Sequence, residues 1–315
     1  MAALLAWASP AVASSDRGPD LTVPRADLEA AFSCPVDPAD SPKTPIMLVP
    51  GTVSTGPQAY SLLQGALDRY GHPVCYVSFP ELTTADIQLS VQYLVHGLRR
   101  EYELAGRKVA VYGISQGGLI ARFALTYWPD LRRKVGDLFS AAGSQHGTNL
   151  DLAACSEGCA PAIWQQIAGS KLLDALESQG DETPGSVSYT TVRTSMDELL
   201  QPQTGKHPTS ALDGARNVLI QRVCPGRVTS HLGAILNSVT FAAFTDAVDH
   251  KGRSLEGSAR ISRLPAGVCD SPYADGLVAA QVDAIIAVAG SGLSALLEAL
   301  PKTLAEPKVR AVFRR

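Results

Sequence analysis

The stretch that most constrains this chain is Lys108-Val109-Ala110-Val111-Tyr112-Gly113-Ile114-Ser115-Gln116-Gly117-Gly118. A β-branched apolar run enters Gly-x-Ser-x-Gly. Leu119 to Trp128 then carry apolar residues at three- and four-residue spacing until Pro129 stops the pattern. Strand, sharp turn and helix form the setting of a nucleophile elbow, in which a strained serine projects its hydroxyl beyond the sheet edge. Gly113 and Gly117 leave room for the close backbone approach such a turn requires, because neither has a Cβ. Ser115 then lies at a helix N-terminus, where the dipole favours negative charge.

The rest of the chain supplies a sheet for this turn. Pro45 to Pro50 is a continuous apolar run, as expected of a strand buried on both faces. Val74 to Ser78, Asp137 to Ala142, Ser186 to Val192 and Asn217 to Val223 read as further strands. Helices are expected from Gln58 to Tyr70, opened by Pro57, and from Thr84-Ala85-Asp86 onward, where Ile87, Val91, Leu94, Val95, Leu98 and Tyr102 share a face. The segment Asn149 to Gly180 reads as helical. Strands alternating with helices imply right-handed crossovers and a mostly parallel α/β sheet with helices on both faces. No internal repeat or linker divides the 315 residues, so residues 14–315 read as one domain.

Ala2 to Ala13 are small and apolar and end in an A-x-A pattern, the close of a secretory signal peptide, giving residues 1–13 as leader. The basic opening of such a leader is missing, which suggests a start upstream. An even count of six cysteines fits an exported, disulfide-bonded protein. Cys155 and Cys159 have no Cys/His pair nearby to complete a metal site, so a local disulfide is the better reading. A net charge of −3 gives no field for nucleic acid. Leu277 to Leu300 is the most apolar stretch, but Gln281, Asp283 and Glu298 interrupt it as a membrane span.

A serine hydroxyl needs a base to take its proton and a third group to orient that base. With this elbow the chain order is Ser, then Asp or Glu, then His, each partner following a strand. Asp197 follows the 186–192 strand; Glu198 beside it and Asp213 in a polar loop are rivals. His231 follows the final strand. His146 precedes every candidate carboxylate, while His207 and His250 are expected to face solvent. The backbone N–H of Gln116 is one oxyanion donor by construction, and the Gly51-Thr52 loop after the first core strand should supply a second, with Thr52 offering N–H and hydroxyl.

At this point the residues resemble a known family. Leu48-Val49-Pro50-Gly51-Thr52 with Thr55-Gly56-Pro57-Gln58, Ser115-Gln116-Gly117-Gly118-Leu119, Trp164-Gln165-Gln166 with Gly169-Ser170, and Asp197-Glu198 with Gln201-Pro202-Gln203 are similar to Candida antarctica lipase B and its bacterial relatives. The likeness runs in register from about Cys34 to Cys269. It implies an α/β-hydrolase lipase or esterase without metal or organic cofactor, acting on lipid or ester substrates. Transient contact with a lipid interface is expected of such an enzyme; nothing in the sequence points to an obligate protein partner, and a monomer is expected. Carried over by position, Ser115 is the nucleophile, Asp197 the orienting acid, His231 the base, and Thr52 and Gln116 the oxyanion hole. The resemblance also implies Cys34–Cys75 and Cys224–Cys269 disulfides, which leaves Cys155 to Cys159. Carboxylesterase, acyltransferase or polyester hydrolase activity would use the same residues; a non-catalytic binding protein would be expected to have lost one.

Three departures stand out. Ile114 replaces the family's Trp before the nucleophile, on the alcohol side of the pocket. Ser144-Gln145-His146-Gly147-Thr148 replaces Asp-Tyr-Lys-Gly-Thr. Val53 replaces a glycine in the oxyanion loop. Leu152 to Trp164 falls where the family carries a small mobile helix over the site, and a Cys155–Cys159 bridge there predicts weak interfacial activation.

Overall fold

Seven strands, β1 (Phe32–Ser33), β2 (Ile46–Val49), β3 (Val74–Val77), β4 (Val109–Ile114), β5 (Val135–Ala141), β6 (Ser188–Arg193) and β7 (Arg216–Leu219), form one sheet in the order β1-β3-β2-β4-β5-β6-β7. This computed structural model describes residues 16–149, 155–250 and 252–314, with backbone alone for 289–297. The expected leader at residues 1–13 lies outside the described residues. β1 pairs antiparallel with β3, and every other pairing is parallel. The fold is that of the α/β-hydrolases.

The inner strands are apolar at successive positions because both faces are covered. In β2, Met47 and Val49 join the core on one face, while Ile46 and Leu48 join the other. The helix Ile87–Ala105 covers the first face. Asp86 caps its start by accepting the Gln88 N–H at 2.9 Å, and Gly106 in the left-handed region ends it. Val91, Leu94 and Leu98 meet Leu119 and Phe123 of the elbow helix there. On the second face, the helix Ser238–Asp249 stacks Phe244 on Tyr112 at 4.4 Å between ring centroids.

Three segments depart from the pattern reading. β1 is too short to show an alternation and is bonded on one side only. The last strand ends at Leu219, because Ile220–Val223 turns into a helical turn that aims Gln221 back at the chain after β6. There Gln221 accepts from the Ser195 N–H at 3.0 Å and donates to Thr194 Oγ1 at 2.8 Å. Among the described residues of the 149–180 stretch there are two short helices, Pro161–Gln166 and Lys171–Glu177, separated by Gly169 at φ +77° and the second capped anew by Ser170. His250 also turns inward: its ring nitrogens lie 2.5 and 3.0 Å from the carbonyls of Asp246 and Glu256, whereas His207 is exposed.

All six cysteines are bonded, as Cys34–Cys75, Cys155–Cys159 and Cys224–Cys269. The first and third close loops of 41 and 45 residues and each contributes on the order of 2–4 kcal/mol by restricting the unfolded chain. Among the described residues, no helix is long and apolar enough to cross a membrane.

Candidate active site

Beyond the carboxyl end of the sheet, the segments that follow β2, β4, β5, β6 and β7 converge. The elbow comes first. Ser115 sits at φ 51°, ψ −125°, a backbone region costly for any residue with a side chain. It persists because its surroundings fix it. The Ser115 N–H donates to the Ala141 carbonyl at 2.9 Å. A Cβ on Gly113 would stand 2.7 Å from the backbone of Gly117, and one on Gly117 would stand 2.4 Å from the Val49 carbonyl oxygen. No larger residue fits at either position.

His231 opens the short helix His231–Ile235, capped by Ser230. Its Nε2 lies 3.0 Å from Ser115 Oγ and its Nδ1 lies 2.8 Å from Asp197 Oδ2. Asp197 is 1% exposed and His231 2%. The other carboxylate oxygen of Asp197 accepts the N–H groups of Leu199 and Leu200 at 3.0 and 2.9 Å. A charge buried this deeply is tolerated because each oxygen has its donors. With Asp197 accepting at Nδ1, the tautomer that leaves Nε2 free to take the Ser115 proton is favoured. Glu198 faces elsewhere: its Oε2 accepts the backbone N–H of His231 at 2.8 Å and fixes where the histidine begins. Asp213 is engaged through its backbone, its N–H donating to Glu182 Oε2 at 2.6 Å and its carbonyl accepting from Thr183 Oγ1 at 3.0 Å.

Thr52 stands opposite. Its hydroxyl donates to Gln116 Oε1 at 2.7 Å and is approached by Gln166 Nε2 at 3.4 Å. Gln166 Oε1 in turn accepts from Ser144 Oγ at 2.8 Å. Gln166 and Ser144 received no role from sequence reasoning. Trp164-Gln165-Gln166 was visible as a motif, but its meeting with Thr52, more than a hundred residues away, required the fold. Val53 adopts φ 57°, a conformation that strains a β-branched side chain and suits glycine. It is held by its neighbours: Ser54 Oγ donates to the Gly51 carbonyl at 2.9 Å, and Thr83 Oγ1 donates to the Ser54 carbonyl at 2.7 Å.

Ile114, 6% exposed, precedes the serine. Residues 152–154 of the segment expected over the pocket lie outside the described residues. From Cys155 onward that segment is closed by its disulfide and paired with the C-terminal region, Cys159 and Thr303 exchanging backbone hydrogen bonds at 3.1 and 2.8 Å. Among the described residues, no group of three His, Cys, Asp or Glu side chains could hold a metal ion.

No family model matches the chain. Lipase B of the yeast Pseudozyma antarctica is 33% identical over 309 residues, which cover 95% of this chain and 88% of that protein. The chain belongs to the lipase B family. The crystal structure of Aspergillus fumigatus lipase B superposes with a TM-score of 0.84 at 27% identity, covering 99% of this chain and 77% of that one. As a lipase B family member, the chain is a serine ester hydrolase.

Proposed function

We propose that this lipase B family chain is an exported lipase that cleaves fatty-acyl esters, triacylglycerols among them, by acyl transfer through Ser115. The observation that carries the reading is the unbroken contact from Ser115 Oγ through His231 to a fully satisfied Asp197, set on a strained turn beyond the sheet. His231 takes the serine proton as Oγ attacks the ester carbonyl, and Asp197 stabilises the imidazolium that forms. The Gln116 N–H and the Thr52 N–H bind the oxyanion, joined by the Thr52 hydroxyl as it turns its one proton from Gln116 Oε1 to the substrate oxygen. Gln166 donating to Thr52 Oγ1 polarises that hydroxyl toward donation. His231 then protonates the leaving alcohol, and water repeats the sequence to release the acid.

Export is supported by three disulfides and by the leader-like residues 1–13, with residues 14–315 as the mature hydrolase domain. The mature protein acts as a monomer that touches lipid interfaces transiently. Hydrolysis of p-nitrophenyl esters from acetate to palmitate, by wild type and Ser115→Ala in parallel, tests the reading. The expected result is turnover that vanishes in the variant, with an optimum at medium or long chains. An optimum at acetate would make the enzyme a carboxylesterase. No turnover of any ester by folded wild type would contradict the reading.

A further inference from the structure

The loop that leaves β5, residues 144–148, carries a cluster that the acyl-transfer cycle does not use. His146 is held at three points. Its backbone N–H and its Nδ1 both meet the Thr209 carbonyl, at 3.1 and 3.0 Å, and its Nε2 lies 2.6 Å from Glu182 Oε1. Glu182 also accepts from Arg122 Nη2 of the elbow helix at 3.1 Å and from the Asp213 N–H at 2.6 Å. Arg122 is 1% exposed and donates through Nη1 to the Gln145 carbonyl at 3.0 Å. The loop is thus pinned to the elbow helix, to the segment before β6 and to the segment before β7.

The chemistry of these partners fixes the state of the ring. A carbonyl oxygen can only accept, so Nδ1 must donate. A carboxylate already holding an arginine and a backbone N–H can only accept, so Nε2 must donate as well. A histidine that donates at both nitrogens is an imidazolium. Glu182 and Arg122 are the charged groups facing the ring. Burial opposes its charge, but the hydrogen bond and charge of Glu182 outweigh burial and raise its pKa above the ordinary histidine value. Burial likewise acts to raise the Glu182 pKa, and the His146 and Arg122 contacts outweigh it and lower it.

The same loop reaches the oxyanion side of the site. Two residues before His146, Ser144 Oγ donates to Gln166 Oε1, and Gln166 Nε2 points to Thr52 Oγ1. We propose that His146 is a positioning residue for the oxyanion hole: its imidazolium, clamped between Glu182 and the Thr209 carbonyl, fixes the 144–148 loop so that Ser144 orients Gln166 against Thr52. This rests on the assignment of Thr52 as an oxyanion donor. Because the folded-state pKa is raised, the clamp is fully present below the unfolded histidine pKa and is lost as pH rises through the folded value. Oxyanion stabilisation should therefore weaken on the alkaline side. A lysine at this position would keep a cation against Glu182 without titrating in that range.

The test compares wild type, His146→Lys and His146→Asn in kcat and KM for a soluble short-chain ester from pH 5 to 10. In parallel, ¹⁵N NMR of Ser115→Ala follows the His146 ring and the Thr52 amide over the same range. Wild-type kcat should fall about tenfold as the ring titrates, with KM little changed, within the ~10² loss that a displaced catalytic group brings. His146→Lys should hold its kcat through that range, and His146→Asn should be low throughout. Both ring nitrogens should carry protons at pH 7, and the Thr52 amide shift should track their titration. A neutral ring at pH 7 would overturn the proposal. So would a His146→Asn protein that melts earlier with unchanged kcat and pH profile, or a Thr52 amide that ignores the titration. The NMR arm needs no turnover, so failure of the hydrolase reading and failure of the clamp are separable.

Discussion

The two ends of the sheet treat buried carboxyl groups in opposite ways. Beyond the carboxyl end of β6, Asp197 receives two backbone N–H groups and a histidine. At the amino end of β5, the half-buried Asp137 makes no such hydrogen bonds among the described residues. Burial there, only partly offset by Lys108, pushes its pKa up to about 7. Glu101, in the helix covering the first face, is fully buried, and neither carboxyl oxygen has a partner among the described residues. Burial drives it well above the usual carboxylate range. A charge is kept in the interior where the surrounding donors stabilise it, which is the arrangement catalysis needs. Elsewhere the group neutralises, and stability becomes dependent on pH.

The sharpest way to break this contrast is Asp197→Asn. The amide keeps the packing but no longer favours the required histidine tautomer, so kcat should fall about 10⁴-fold. Steady-state kinetics on a p-nitrophenyl ester would show it, and a loss under tenfold would remove Asp197 from its role. Thr52→Val comes next. It leaves the backbone N–H and removes the hydroxyl, so about 10²–10³ in kcat should be lost with KM little changed.

At the amino end the expected change is in stability rather than rate. Wild-type stability from Asp137 is fully present below its unfolded pKa near 4 and is lost as pH rises through about 7. Asp137→Asn should remove that slope, gaining on the order of 4 kcal/mol relative to wild type between pH 4 and 8, with ester turnover unchanged. Urea unfolding at the two pH values measures it; parallel slopes in both proteins would mean that the carboxyl is not held neutral. The smallest effect is expected at Ile114, where the family's yeast member has tryptophan. Ile114→Trp should shift the preference between secondary and primary alcohol esters by about tenfold toward the primary, the scale of a pocket-volume change. Equal selectivity would mean that Ile114 does not bound the alcohol side.

The same contrast explains what was legible in the sequence. The elbow is encoded within twenty consecutive residues: β-branched strand, two glycines that admit no Cβ, and an apolar helix stripe, so Ser115 could be located without a structure. The mostly parallel sheet followed from the spacing of apolar runs, whereas β1 was invisible because two residues carry no period. Order along the chain put the carboxylate near 197, yet the choice between Asp197 and Glu198 depends on which side chain the turn aims at the histidine ring. In the structure, one takes Nδ1 and the other takes the backbone N–H of the same residue. The wall behind Thr52 was legible only as a motif around Gln166 and a departure at 144–148, not as a set of contacts. Ser144, Gln166 and the His146–Glu182–Arg122 cluster are ordinary polar residues whose meaning lies in meeting across the fold.

Ser115, on this turn, is the proposed nucleophile. A fluorophosphonate probe reports it directly, because it phosphonylates only a serine activated by its base. Intact mass and peptide mapping should give a single adduct at Ser115, absent from Ser115→Ala and formed far more slowly in His231→Ala. An adduct on another residue, or labelling undiminished in Ser115→Ala, would contradict the account.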